Sequence, residues 1–216
     1  TRPVFTTAKV VRDSALNLWV FWGTGDKVAP NATTSVDKFF AIKDDSPASP
    51  YGESNLQDIT NGEFTDTTKK GWSITLGAAG EKMLSDPAVF GGALLFNSYT
   101  PGPSDKCDIT GGATLYALAM EKIVIANITY NIGAGLLTAA RGRSVSLGAG
   151  MALGPVFSQK PGGGSSDFYI VTSGIGEQAT QIQSGGNIVP DSPLSELLKK
   201  TNISTQLLHW KDGRIQ

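Results

Sequence analysis

Three passages of this chain are written in one grammar. The first is RPVFTTAKVVRDSALNLWVFWGTGDK, the second DPAVFGGALLFNSYTPG and the third GPVFSQKPGGGSSDFYIVTSGIGEQ. Each opens on a proline (Pro3, Pro87, Pro155), with a Val-Phe pair at once or after one residue. A turn of variable length follows, then an apolar-aromatic strand that ends in a small residue or Thr and a turn. In the first two passages a further strand comes next, FFAIKD and TLYALAM. Recurrence at this spacing means one supersecondary unit used several times. An up-down antiparallel unit of about four strands with such turn signals matches a β-propeller blade. The expected fold is all-β, a partial and modified β-propeller of about three antiparallel blades. Its approximate units are 1–80, 81–150 and 151–216, within one domain spanning 1–216. A β-sandwich also has many short strands with regular turns, but the spaced Pro-Val-Phe repeat favours the propeller.

Composition agrees. The chain has 216 residues, 40% of them hydrophobic and 17% charged, with 26 glycines and 11 prolines. That suits short strands and many turns better than long helices. The formal net charge is −1, so no overall basic field points to nucleic acid or anionic lipid. The basic pairs Lys69-Lys70 and Lys199-Lys200 and the Arg141-Gly142-Arg143 triplet read as solvated loops. No run of 18 apolar residues exists, so no spanning helix is expected. The chain opens in strand-like sequence with neither an initiator Met nor a signal peptide, and is expected to be a mature product or an excised fragment.

Further strands are expected at PVFTTAKVV, LNLWVFWGTG, DKFFAIKDD, GWSITL, RSVSLG, GPVFSQ and DFYIVTSG. Gly91-Gly92 should turn one hairpin and Ala126-Asn127 another. Residues 46–70 are polar and read as a surface insertion. One short helix is expected near the C-terminus, with Ser192 as cap, Pro193 at the first helical position, Leu194, Leu197 and Leu198 on one face, and Asn202 as the stop. TQLLHWKDGRIQ reads as a last strand, with Leu208 and Trp210 on one face and Leu207 and His209 on the other. The aromatics Trp19, Trp22, Phe39, Phe40, Trp72, Phe90, Phe96, Tyr116, Phe157 and Tyr169 are expected mostly in the core between blades.

The search for chemistry yields no catalytic, cofactor-binding or metal-binding residue. The Gly23-Thr24-Gly25 turn is no phosphate cradle, because a Pro- and Thr-rich loop rather than a helix N-terminus follows it. It reads as a turn between the second and third strands. One histidine, His209, cannot complete a Ser-His-Asp set, and TSGIG at 172–176 is not a nucleophile elbow. A single cysteine and a single histidine cannot close a zinc site. Cys107 has no internal disulfide partner and reads as a free thiol, with a bond to a segment outside this chain as the alternative. Asp44-Asp45 and Asp105/Asp108 lack the third carboxylate and the glycine spacing of a calcium loop. Asn31, Asn127 and Asn202 match N-x-[ST], a motif common by chance.

LWVFWGTGDKV followed by DKFFAIKDD resembles a stretch of the PilC/PilY-type type IV pilus tip-associated adhesins. The run from GWSITL through SDPAVFGGALLFNSYTPGPSDKCDITGGATLYAL is similar to that family's next stretch, with its Gly-Trp strand, Cys-containing loop and LYAL strand. LLHWKDGRIQ resembles the family's C-terminal ending. Where the family usually has an acidic residue after LYAL, this chain has Ala119.

The resemblance implies a non-enzymatic, extracellular protein at a bacterial pilus tip, acting in pilus biogenesis, cell adhesion and twitching motility. It implies pilins and minor pilins as partners, together with a host or surface ligand. An upstream part of the same protein or a partner chain would complete the propeller. No cofactor is expected in this chain, and a calcium loop, where present, is expected upstream. Two alternatives remain open: a quinoprotein-like propeller dehydrogenase, and a sugar-binding propeller lectin.

Overall fold

The computed structural model describes residues 2–47, 49–102, 111–159, 166–173 and 181–200. The first sheet is built from β1 (Lys9–Arg12), β2 (Leu18–Gly23), β3 (Lys38–Asp44), β4 (Gln57–Asp58) and β5 (Gly71–Thr75), in the order β1-β2-β3-β5-β4. All neighbours are antiparallel except β4, which runs parallel to β5 on the edge. The second sheet contains β6 (Ala88–Phe90), β7 (Ala93–Thr100) and β8 (Gly112–Ala119). A small hairpin follows, β9 (Ile123–Ile125) and β10 (Ile128–Tyr130), before β11 (Ser144–Ala149) returns to the second sheet beside β8. The third sheet is β12 (Val156–Gln159), β13 (Ser166–Thr172) and β14 (Gln181–Ser184), antiparallel throughout. Two helices close the described chain, the single turn α1 (Gly185–Ile188) and the two-turn α2 (Pro193–Lys200).

Alternation within the strands stacks these sheets. In β2, Trp19 and Phe21 point to the interior, as do Phe39 and Ala41 of β3 and Trp72 and Ile74 of β5. They meet Leu94 and Phe96 of β7 and Leu118 of β8. The intervening residues of β7 and β8 face the other way. Ala93, Leu95, Leu115, Ala117 and Ala119 pack with Phe168 and Ile170 of β13 and with Leu194 and Leu198 of α2. The middle sheet is thus covered on both faces, and the first seven of the eight residues of β7 are buried. A near-continuous apolar strand is what burial on both faces requires. The molecule is mostly β, and none of its sheets closes on itself.

The glycine hairpin forms as expected: Gly91 and Gly92 take φ of 57° and 85° between β6 and β7. Ala126 and Asn127, at φ 48° and 63°, turn β9 into β10. Both central residues of such a two-residue hairpin turn need positive φ. The expected helix is present, and the Ser192 hydroxyl accepts from the Ser195 backbone N–H at 3.0 Å, the contact of an N-cap.

Four expectations need correction. PVFTTAKVV is a strand only over Lys9–Arg12; Val4 and Phe5 are exposed and irregular, whereas the Val-Phe pairs at 89–90 and 156–157 lie in strands. Residues 46–70 are not purely a surface insertion, because Leu56 and Ile59 are buried and β4 adds a parallel edge to the first sheet. A strand, β14, and a helical turn, α1, precede the expected helix. The aromatic list also divides: Trp19, Phe39, Trp72 and Phe96 are buried between sheets, while Trp22 and Phe40 lie on the far face of the first sheet and Tyr169 is exposed. Cys107, Asp105, Asp108, Asn202 and the TQLLHWKDGRIQ strand with Leu207, Leu208, His209 and Trp210 lie outside the described residues.

Candidate interaction surface

The Gly23-Thr24-Gly25 run is a junction between sheets rather than a simple turn. The chain continues in register past β2, with the Thr24 N–H donating to the Lys38 carbonyl at 2.9 Å. Gly23 must be glycine for space. A Cβ there would come within 2.1 Å of the Met83 sulfur, and one on Gly25 within 2.5 Å of the Met83 carbonyl. Met83 N–H donates to the Thr24 carbonyl and Gly25 N–H to the Pro3 carbonyl, each at 2.9 Å. Three segments distant in sequence therefore share one crossing.

Buried polar groups lock that crossing. The Thr24 hydroxyl donates to Asp37 Oδ1 at 2.7 Å and accepts from the Lys38 N–H at 2.9 Å. Lys82, with 0% exposure, donates from Nζ to the carbonyls of Pro30 and Ala32 at 2.8 and 2.6 Å. Burial pulls its ammonium below the ordinary lysine range, offset in part by Asp37 and Asp26. Glu81 accepts from the hydroxyls of Ser98 and Tyr116 at 2.5 and 2.8 Å and from the Ala78 N–H at 3.0 Å. Burial, and then the Glu81 carboxylate, push the Tyr116 hydroxyl well above its ordinary value. Buried charges tied in this way to backbone and hydroxyl groups hold register between elements, although Asp37 Oδ2 is buried without a hydrogen-bond partner. Loop 26–37 is thereby tied to the second sheet.

The far side of the first sheet is different. Register sets Val10, Val20 and Ile42 in one row and Trp22 beside Phe40 in another, with Leu18 beside Asp44. The Trp22 and Phe40 rings stack at 5.2 Å between centroids. Val10 is 54% exposed, and Leu18, Val20, Trp22 and Ile42 are half-buried. The outer face of the third sheet carries exposed Val156 and Tyr169. Monomeric proteins seldom expose contiguous apolar area beyond a few hundred Å², and larger patches mark interaction sites.

Among the described residues, no group of three or more His, Cys, Asp or Glu side chains could hold a metal ion. Asp44 accepts from the Ser46 N–H at 2.9 Å, and Asp45 pairs with Lys70 at 2.8 Å. Ser173, the serine of TSGIG, is engaged with the Met151 N–H and carbonyl at 3.0 and 3.1 Å. Of the basic pairs read as solvated, Lys69 and Lys70 are held by the Ser54 carbonyl and Asp45. Arg143 departs from that reading: it is half-buried and donates from Nη1 to the Ile59 and Thr60 carbonyls at 2.5 and 3.2 Å. The sequence offered no signal for this, because the carbonyls it meets lie more than 80 residues away.

A solved structure resembles this arrangement, the C-terminal domain of Pseudomonas aeruginosa PilY1. The two superpose with a TM-score of 0.51 at 14% sequence identity, over 85% of this chain and 45% of that one. The fold is PilY1-like. The matched part spans less than half of the PilY1 C-terminal domain. No protein-family model matches the sequence, and none of the curated proteins matches it. No helix among the described residues is long and apolar enough to cross a membrane.

Proposed function

We propose that this chain is part of a non-enzymatic scaffold of a bacterial type IV pilus, acting outside the cell in pilus assembly and attachment at the tip. The observation that carries the reading is the likeness of its stacked sheets to the PilY1 C-terminal domain. On this reading the three sheets are consecutive blades of a modified propeller. Blade-to-blade packing is the core of such a fold, and the middle sheet, apolar on both faces, has that character. The outer row of Val10, Val20 and Ile42 with the Trp22–Phe40 stack then receives a further sheet, from the same protein or from a partner. Pilins and minor pilins are the assembly partners, and the chain itself carries no cofactor.

The polar chemistry supports a scaffold over an enzyme. Most of the carboxylates held below their ordinary range, such as Asp13, Glu53, Asp58 and Asp66, bind turn N–H groups or neighbouring cations rather than converging on a cleft. The test is genetic. Removing residues 1–216 in frame from the source bacterium should abolish surface pili and twitching. Normal pili and normal twitching would overturn the reading.

A further inference from the structure

The Arg-Gly-Arg triplet lines an open cavity of about 400 Å³ beside the turn 60–63. The triplet is set there by a tight turn. Arg141 adopts φ 62°, its N–H donates to the Thr138 carbonyl at 3.0 Å, and the Gly142 N–H donates to the Thr138 hydroxyl at 2.8 Å. A Cβ on Gly135 would meet the Arg141 carbonyl at 2.2 Å, so the turn lies flat on that glycine. The left-handed conformation is strained for a non-glycine residue, so the turn is held by its contacts. The Arg143 carbonyl then accepts from the Ala117 N–H at 2.9 Å, anchoring the second arginine to β8.

The two guanidinium groups are differently committed. Arg141 pairs with Glu63, donates to the Thr129 carbonyl at 3.2 Å and lies 5.5 Å from the centre of the Tyr130 ring. Both oxygens of Glu63 are engaged, one by Arg141 and the other by the Asn131 side-chain amide at 2.9 Å. Burial raises the Glu63 carboxyl, but Asn131 and the arginines more than offset that, so it stays ionised. Arg143 has no carboxylate bonded to it among the described residues. Only its Nη1 donates, to two backbone carbonyls. Its other donors have no partner among the described residues. The planar fork of this half-buried guanidinium keeps donors in the geometry that pairs a carboxylate bidentately.

We propose that this cavity binds a carboxylate ligand, gripped by the free edge of Arg143 and bordered by Arg141 and Asn61. The charge count selects the ligand. Two arginines face one carboxylate, which leaves room for a single negative charge. A phosphate dianion would meet only one free guanidinium edge and would be repelled by Glu63. A planar carboxylate fits one fork. A sugar acid and an acidic amino-acid side chain share that chemistry. The site stands apart from the outer face of the first sheet and does not rest on the pilus reading.

The test is calorimetric titration of the 216-residue chain at fixed ionic strength, with sodium galacturonate, the α-amide of N-acetyl-aspartate (a single side-chain carboxylate), neutral galactose and inorganic phosphate as separate probes. Saturable binding of at least one carboxylate, with no binding of galactose and weaker binding of phosphate, is expected, and the stronger of the two carboxylates identifies the source. R143K should weaken it by about tenfold, since lysine keeps the charge but loses the fork. E63Q should strengthen it, because it removes the repelling charge while leaving the arginine that holds the turn. The E63Q result decides the matter should R143K fail to fold. No saturable carboxylate binding, equal binding of phosphate, or E63Q binding no more tightly than the parent would overturn the proposal.

Discussion

The two layers that flank the middle sheet are filled by opposite means. Toward the first sheet the filling is aromatic. Phe39 stacks on Phe96 at 4.0 Å, Phe96 on Tyr116 at 4.8 Å, and Phe39 lies 5.8 Å from Trp72. Toward the third sheet the middle strands present Ala93, Ala113, Ala117 and Ala119 beside Leu95 and Leu115, and Phe168, Ile170, Leu194 and Leu198 pack against them. Paired residues show the switch: Phe96 faces Tyr116 on one side, and the next pair, Leu95 with Ala117, faces the other. The difference teaches what each layer tolerates. An aromatic stack fails by losing volume, whereas an alanine face fails by gaining it.

Truncation in the aromatic layer should have the largest effect. Phe96→Ala and Trp19→Ala are each expected to cost about 3–5 kcal/mol in chemical denaturation, as buried aromatics do. Phe90→Ala and Phe157→Ala, whose half-buried rings stack at 4.7 Å at the edge of the alanine layer, should cost less. Equal losses at all four sites would erase the contrast between the layers. Next comes the reverse substitution. Ala117→Leu should destabilise by about 1–3 kcal/mol through overpacking, and a neutral result would mean the alanine layer is loose.

These layers were only partly legible in the sequence. The hairpins at Gly91-Gly92 and Ala126-Asn127, and the helix capped at Ser192, were local: positive-φ turns and an N-cap leave marks within a few residues. The alternation in β2, β7 and β8 was also visible. The parallel pairing of β4 was not, because Gln57-Asp58 carries no strand signal and is held by β5, whose first residue is 13 positions further along the chain. The first Val-Phe pair matches the grammar but lies outside any strand, so the repeat overstates the likeness of the three passages. Gly23 reads in the sequence as a turn former, yet it is glycine because Met83 passes against it. Arg143 looked solvated because nothing near it in sequence announces the carbonyls of Ile59 and Thr60. Contacts made across the fold leave no such local mark.

Smaller effects sharpen the picture at the edge of the aromatic layer. Asp13 accepts from the backbone N–H groups of Ala15 and Asn17 and from Trp19 Nε1 at 2.9 Å, tying the β1–β2 turn to a core ring. Burial raises its carboxyl, and these bonds more than offset that, holding it below the ordinary aspartate value. A carboxyl depressed in the folded state contributes stability above its unfolded pKa of about 3.9 and loses it as pH falls through the lower folded value. Asp13→Ala should therefore cost about 1 kcal/mol at neutral pH and shrink toward nothing in strong acid. A loss that is constant with pH would place the effect elsewhere. Smallest of all is the expected response to calcium: titration into this chain should give no heat of binding, and a stoichiometric site would contradict the scaffold as drawn.

The central claim is that the outer face of the first sheet is built to be covered. Light scattering of the 216-residue chain over a range of concentrations tests it most directly, with a variant carrying Val20→Lys and Ile42→Lys alongside. The account predicts self-association of the parent chain that grows with concentration, and a folded monomer for the variant. A parent chain that stays monomeric at every concentration, and melts cooperatively with no partner, would contradict it.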